Sequence, residues 1–206
     1  MPGDKEIIGK YVPDAALDLV YDTLIRHKFK LHISRKRATK LGDFRAGTKG
    51  NPHRISLNHD LNPYHFLVVF VHEFAHLVVF EQYGRRVQPH GIEWKTAFRT
   101  LMQPYFEREV FPPDLRQALE NYLINAKAIN GSDVPLTKAL ANYDLKQASG
   151  TDLEKLAEGT QFRTTGGRVF KKLDKQRKRY KCLCMSTGRL YLFNPLAKVH
   201  PLSATD

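Results

Sequence analysis

The chain has 206 residues, of which 42% are hydrophobic, 11% aromatic and 26% charged, a composition that excludes a disordered or collagen-like protein. Lys and Arg number 33 against 21 Asp and Glu, and the formal charge of +12 favours polyanionic partners such as DNA or RNA. Cys182 and Cys184 are too few and too close for a disulfide framework, and the N-terminus MPGDKEIIGKYVPD lacks the apolar core of a signal peptide. The most apolar stretch, 66–80, is short for a membrane span and is interrupted by His72, Glu73 and His76, so a cytoplasmic protein with no membrane partner is expected.

In chain order, Leu17, Val20, Tyr21, Leu24 and Ile25 recur at helical spacing and predict an amphipathic helix from about Asp14 to His27. Residues 30–34 and 54–58 alternate apolar and polar side chains, with Gly42, Gly47 and Gly50 supplying turns between them, which predicts a small antiparallel sheet. Asn62 and Pro63 read as an N-cap and a first-turn proline, opening a helix that runs to Gly84. Apolar residues cover this helix almost all round, so it is expected to be buried.

A second helix is expected from about Gly91 to just before Pro104, and a third over 114–128. The polar segment 131–150 reads as a connector holding a short helix near 135–143. Beyond it, five short strands are expected at 160–163, 168–172, 179–185, 189–193 and 197–200, forming a small β-barrel or curled sheet. The fold class is therefore α+β, with a first domain over 1–130, a connector over 131–150 and a small basic all-β domain over 151–206.

His72-Glu73-Phe74-Ala75-His76 places an HExxH in the middle of the most apolar helix. Positions i and i+4 lie on one helix face, so two imidazoles can bind one metal ion while the intervening glutamate reaches the attacking water. Buried without partners, these polar groups would cost several kcal/mol, which argues against a merely structural cluster. Zinc in a catalytic site takes three protein ligands, and His90, fourteen positions after His76, is the preferred third. Gly84 ends the helix and Gly91 frees the backbone beside His90, allowing a returning loop; Glu93 and Glu107 are the alternatives. A metzincin is excluded, because Val79 and Gln82 stand where that pattern needs glycine and histidine.

HEFAH followed by His90-Gly91-Ile92-Glu93-Trp94 resembles the SprT-like metalloprotease family, whose signature is an HExxH helix and then an HGxxW segment opening the next helix. Ile55-Ser56-Leu57-Asn58 and Leu61 resemble the edge strand that precedes the active-site helix there, so the similarity covers about 14–128. The resemblance implies a zincin-like fold, Zn2+ held by His72, His76 and His90, Glu73 as the catalytic glutamate, Trp94 as a packing residue, and protein substrates, in one branch proteins bound to DNA. Many relatives carry a four-cysteine zinc ribbon, which Cys182 and Cys184 cannot supply. Two residues apart on one strand, they are expected to pack or remain free thiols.

From Gln161 to Asp206, eleven Lys and Arg stand against two Asp, a net +9. Arg177, Lys178, Arg179 and Lys181 flank Tyr180, with Phe162, Phe170, Tyr191 and Phe193 nearby, a mixture suited to phosphate contact and base stacking on DNA or RNA, although most of these aromatics must be core because so small a domain has few other residues to bury. The sequence thus reads as a zinc endopeptidase acting on nucleic-acid-associated proteins. Its rival is a non-catalytic adaptor, stabilised by metal, that binds nucleic acid or the transcription machinery. Tyr64, His65 and Tyr83 are unranked donors for the oxyanion.

Overall fold

The computed structural model describes residues 2–37, 39–124, 133–144 and 149–202. The chain divides into two compact units, Met1–Leu145 and Lys146–Asp206.

The first unit begins with α1 (Pro2–Gly9) and a 3-10 turn that runs into α2 (Leu17–Arg26). Three strands follow, β1 (Phe29–Ser34), β2 (Gly42–Arg45) and β3 (His53–Asn58), in the spatial order β1-β3-β2. The sheet is mixed rather than antiparallel: β1 pairs parallel with β3, and β2 antiparallel with β3. Period-two alternation is the same in both kinds of ladder, so side-chain pattern could not tell them apart. Residues 55–58 accordingly lie on the central strand and not on an edge; the edge strands are β1 and β2.

Asn62 caps the next helix, α3 (Pro63–Tyr83), its side chain accepting the His65 N–H at 2.9 Å, with Pro63 in the first turn. Packing against β2, β3 and a fourth helix, α4 (Ile92–Glu107), covers α3 on several sides. Phe66, Leu67, Val68, Phe70 and Leu77 are fully buried, each contributing about 1.5–3 kcal/mol of transfer free energy. At 21 residues α3 is long and apolar enough to cross a membrane, yet 67% of its most apolar window is buried within the fold.

Helix α4 continues past Pro104, where the sequence suggested an end. Proline removes one N–H near the helix terminus, and the last turn is still closed by Arg108 N–H to Pro104 O at 3.1 Å. Helix α5 (Pro113–Ile124) follows, and the expected continuation to 128 lies outside the described residues. Helix α6 (Val134–Ala141) packs on α5 and accepts at Leu140 O from Asn62 Nδ2 at 2.8 Å. The chain therefore leaves the first unit at Leu145, inside the expected connector, with the connector's helix folded onto that unit.

The second unit is an antiparallel six-stranded sheet of β4 (Thr151–Asp152), β5 (Gln161–Thr164), β6 (Val169–Gln176), β7 (Arg179–Cys184), β8 (Leu190–Phe193) and β9 (Lys198–Pro201). Its order is β4-β9-β5-β6-β7-β8, and the end strands β4 and β8 do not pair, so the sheet is open and not a barrel. A two-residue β4 offers too short a ladder for closure. Leu153, Phe162, Phe170, Cys182, Cys184 and Val199 form the core, and both cysteines are buried free thiols.

Candidate metal centre

His72 and His76 sit one turn apart on α3, and the loop after Gly84 brings His90 back to them. That loop ends in a tight turn over Gln88-Pro89-His90-Gly91, closed by Gly91 N–H to Gln88 O at 2.9 Å. Proline stands at the second position of this turn and His90, with φ +59°, at the third, where a type II turn calls for glycine or asparagine. A histidine in left-handed backbone costs about 1–3 kcal/mol, a strain that clusters at functional sites. Gly91, which caps α4, is also required: a Cβ there would lie 2.9 Å from Gln88 O.

The three imidazoles converge. Nε2 of His90 lies 3.0 Å from Nε2 of His76 and 3.2 Å from Nε2 of His72. Ligand nitrogens about 2.0–2.1 Å from a tetrahedral ion stand roughly 3.3–3.4 Å apart, so the spacing fits a single small cation. Burial lowers the affinity of all three rings for protons: His76 falls to about 4, His72 lies well below the ordinary histidine value and His90 is also lowered. Neutral imidazoles are the form that donates a lone pair to a metal. The three ring nitrogens face one another and together could hold a metal ion. His72 Nδ1 is the buried side-chain polar atom left without a partner among the described residues.

Trp94 stabilises the cluster from behind. Its ring, 1% exposed, lies 4.6 Å from those of His72 and His90 and 5.3 Å from that of His76, and stacks on Phe98 at 5.0 Å. Nε1 of Trp94 donates to His72 O at 3.4 Å. The alternative ligands stand apart from the group: Glu107 is exposed and accepts from Gln103, and Glu93 borders the far groove with Val78 and Gln82. Among the described residues the group of side chains that could hold a metal ion is His72, His76 and His90.

Glu73 is buried beside this centre, and burial pushes its carboxyl up to about 7 while a hydrogen bond from the Phe44 N–H opposes the shift. Strand β2 lies directly on it, which Gly42 permits by having no side chain. The strand is held there by the loop preceding it. Asn58 Nδ2 donates to the carbonyls of Arg37 and Lys40 at 3.3 and 3.0 Å, and Arg37 Nε donates to Asn58 Oδ1 at 2.8 Å. Arg37 also pairs with Asp43, which Lys40 and Arg45 contact as well. Burial alone would raise the Asp43 carboxyl; these three cations outweigh it and keep it below the usual range. Sequence reasoning assigned Gly42 to a turn and did not single out Arg37 or Asp43; the Gly-Asp pair eight residues into an otherwise basic loop was the available signal.

A cavity of about 260 Å³ opens beside His76, walled by Phe44, Val79, Phe80, Val87, Pro89 and Trp94, with Arg85 and Gln88 also on its lining. The suggested oxyanion donors lie elsewhere. Tyr64 packs against Phe111 and Tyr143, His65 is a desolvated ring lowered to about 4, and Tyr83 faces the far groove with Glu93. In the second unit Arg177, Lys178 and Arg179 are exposed at a hairpin tip, whereas Lys181 is half-buried and paired with Asp174 at 3.3 Å.

An α+β unit with HExxH on its core helix and a third histidine returned by a turn defines a protein with a three-histidine centre able to hold a metal ion. Residues 15–115 match the SprT-like family model. Over 54 residues the chain is 41% identical to Protein SprT of Pseudomonas fluorescens (strain SBW25), a match covering 26% of this chain and 29% of that protein. The chain thus matches under a third of that relative's length. No solved structure matches it.

Proposed function

We propose that the protein is a zinc-dependent endopeptidase acting on proteins associated with nucleic acid. The observation that carries this reading is a buried carboxylate, Glu73, next to His72 on the helix that supplies two of three converging imidazoles, one of which, His76, lines a cavity. His72, His76 and His90 would hold the ion. Zinc, when bound, supplies Lewis acidity that polarises the scissile carbonyl and acidifies water.

The remaining work falls to the chain's own groups. Glu73 takes a proton from the attacking water as its oxygen adds to the carbonyl carbon, and returns that proton to the amide nitrogen as the C–N bond breaks. A carboxyl with its proton affinity raised to about 7 is suited to both transfers near neutral pH. The Phe44 N–H orients the carboxylate, and Trp94 fixes the imidazole rings. Among the described residues the outer edge of β2 is unpaired, so an extended substrate segment can lie along it with one apolar side chain in the cavity beside His76. The basic second unit would bring the enzyme to nucleic acid.

The adaptor reading draws on the same basic unit. A metal that only stabilised the fold would need a fourth closing ligand and no neighbouring base, and Glu73 is such a base. The deciding experiment is proteolysis of DNA-binding proteins, with and without DNA, by wild type and Glu73→Gln. Cleavage by wild type alone supports the peptidase. No cleavage by wild type under any condition favours the adaptor.

A further inference from the structure

The aromatic residues of the second unit are turned into its core. Phe162 and Phe170 stack at 5.9 Å, Phe193 meets both edge-on at 5.6 and 4.9 Å, and Tyr191 meets Phe170 at 5.5 Å. Tyr180 is half-buried, with Lys172 Nζ 4.0 Å and Lys175 Nζ 5.6 Å from its ring centre. Arg168 stands over Tyr191 at 5.8 Å. Among residues 149–202 no Phe, Tyr or Trp is exposed. Residues 149–202 therefore present no fully exposed aromatic face of the kind on which proteins that hold single strands rely, Tyr180, Tyr191 and Phe193 being half-buried.

What the unit does expose is a basic arm. Strands β6 and β7 are joined by Arg177-Lys178, with Gln176 paired to Arg179 across the turn. Arg177 has φ +53°, a conformation that hairpin turns ordinarily give to glycine, asparagine or aspartate. An arginine at that point puts charge where backbone strain argues against it. Between Lys172 and Lys175 the ladder shifts register, and such a bulge bends and twists the hairpin beyond it. The root is anchored: Lys172, 4% exposed, donates to Glu154 O at 3.3 Å and Leu156 O at 2.5 Å. Lys175, Arg177, Lys178 and Arg179 are all exposed and form no ion pair among the described residues, while Asp174 is occupied by Lys181.

We propose that the β6–β7 hairpin is a binding arm for double-stranded DNA, reading its phosphate backbone through Lys175, Arg177, Lys178 and Arg179. The inference deepens the nucleic-acid part of the proposed function and rests on it. Four cations gathered on one two-stranded ribbon gain most from the denser phosphate array, and a duplex carries about one charge per 1.7 Å against one per 3.4 Å for each strand. A single strand would have to be held by stacking that the unit does not offer. B-form DNA has a major groove about 12 Å wide that admits a two-stranded ribbon, whereas the A-form groove of RNA is deep and narrow.

The test is a fluorescence titration of the full-length protein with a labelled DNA duplex, its separate strands and an RNA duplex of the same sequence, at several salt concentrations. The DNA duplex should bind at least about tenfold more tightly than either strand or the RNA. Its log K should fall against log salt with a slope of about −3 to −4, as expected for about four phosphates. Arg177→Gly should reduce the slope by about 0.9 without lowering the melting temperature, because glycine accepts φ +53°. Replacing all four cations by Ala or Gly should remove most of the slope, with zinc content and melting confirming a folded protein. Equal or tighter binding of single strands or RNA, or an unchanged slope in the folded four-site variant, would overturn the arm. Failure of the wild type to bind any nucleic acid would instead remove the nucleic-acid part of the proposed function and the arm with it, and would leave the peptidase reading standing.

Discussion

The carboxylate of Glu73 occupies the space a side chain at position 42 would need: a Cβ on Gly42 would come within 2.9 Å of Glu73 Cγ and 3.0 Å of its Oε1. The same Cβ would lie 2.7 Å from Val69 Cγ1, so the obstruction is on two sides. Gly42→Ala must push β2 outward or turn Glu73 away. Overpacking of this kind costs about 1–3 kcal/mol. The expected outcome is full metal content and a hydrolysis rate reduced at least about tenfold, since a small displacement of a proton-transfer group is costly. Metal analysis, urea denaturation and a peptidase assay on one preparation check it; an undiminished rate would contradict the placement of Glu73 by β2.

His90 combines a metal-ligand position with left-handed backbone, and the two can be separated. His90→Ala and His90→Gly should both lose the metal, because each leaves two imidazoles of three. In metal-free form the glycine variant should be the more stable by about 1 kcal/mol, since only glycine takes φ +59° without strain. Metal retained at full occupancy in both variants would contradict the ligand set.

Much of this centre was legible from residue type and spacing. HExxH on a helix apolar all round could hardly be anything but buried, and Gly84 and Gly91 bracketed the loop that returns His90. The role of Gly42 was not legible, because a glycine between two strands reads as a turn until the strand's distance to Glu73 is known. Sheet direction escaped for a similar reason: β1 and β3 are parallel only because β2, between them in sequence, lies outside them in space. In the second unit, alternation marked the strands but not which face each aromatic took; the unit's small size required most of them to be core, and Phe162 and Phe170 are buried there with Tyr191 and Phe193 half-buried against them.

Acid should destabilise the metal-free protein in a defined window. His65 and His76 are held to about 4, and His72 and His90 are also lowered, all by burial, so between pH 6.5 and 4 the unfolded chain binds more protons at these sites than the folded one. Their contribution is intact above pH 6.5 and is lost as pH falls toward 4. Glu73, raised to about 7, acts in the opposite sense, its folded form binding the extra proton between about 4.5 and 7. Four histidines outweigh one glutamate, so stability should fall on acidification by up to about 1.4 kcal/mol per pH unit for each histidine in excess. Denaturation midpoints at pH 7, 5.5 and 4.5 measure it, and a midpoint that is flat or rises on acidification would contradict the burial of these rings.

The most direct measurement is hydrolysis of an unfolded protein substrate by wild type and Glu73→Gln, each assayed as purified, after chelation and after zinc is restored, with metal content read from the same samples. Wild type should bind about one zinc, lose activity with the metal and regain it on zinc addition, whereas Glu73→Gln should bind zinc equally well and stay inactive throughout. A Glu73→Gln variant as active as wild type, or wild-type activity untouched by removal of the metal, would contradict a peptidase built on Glu73 and the three histidines.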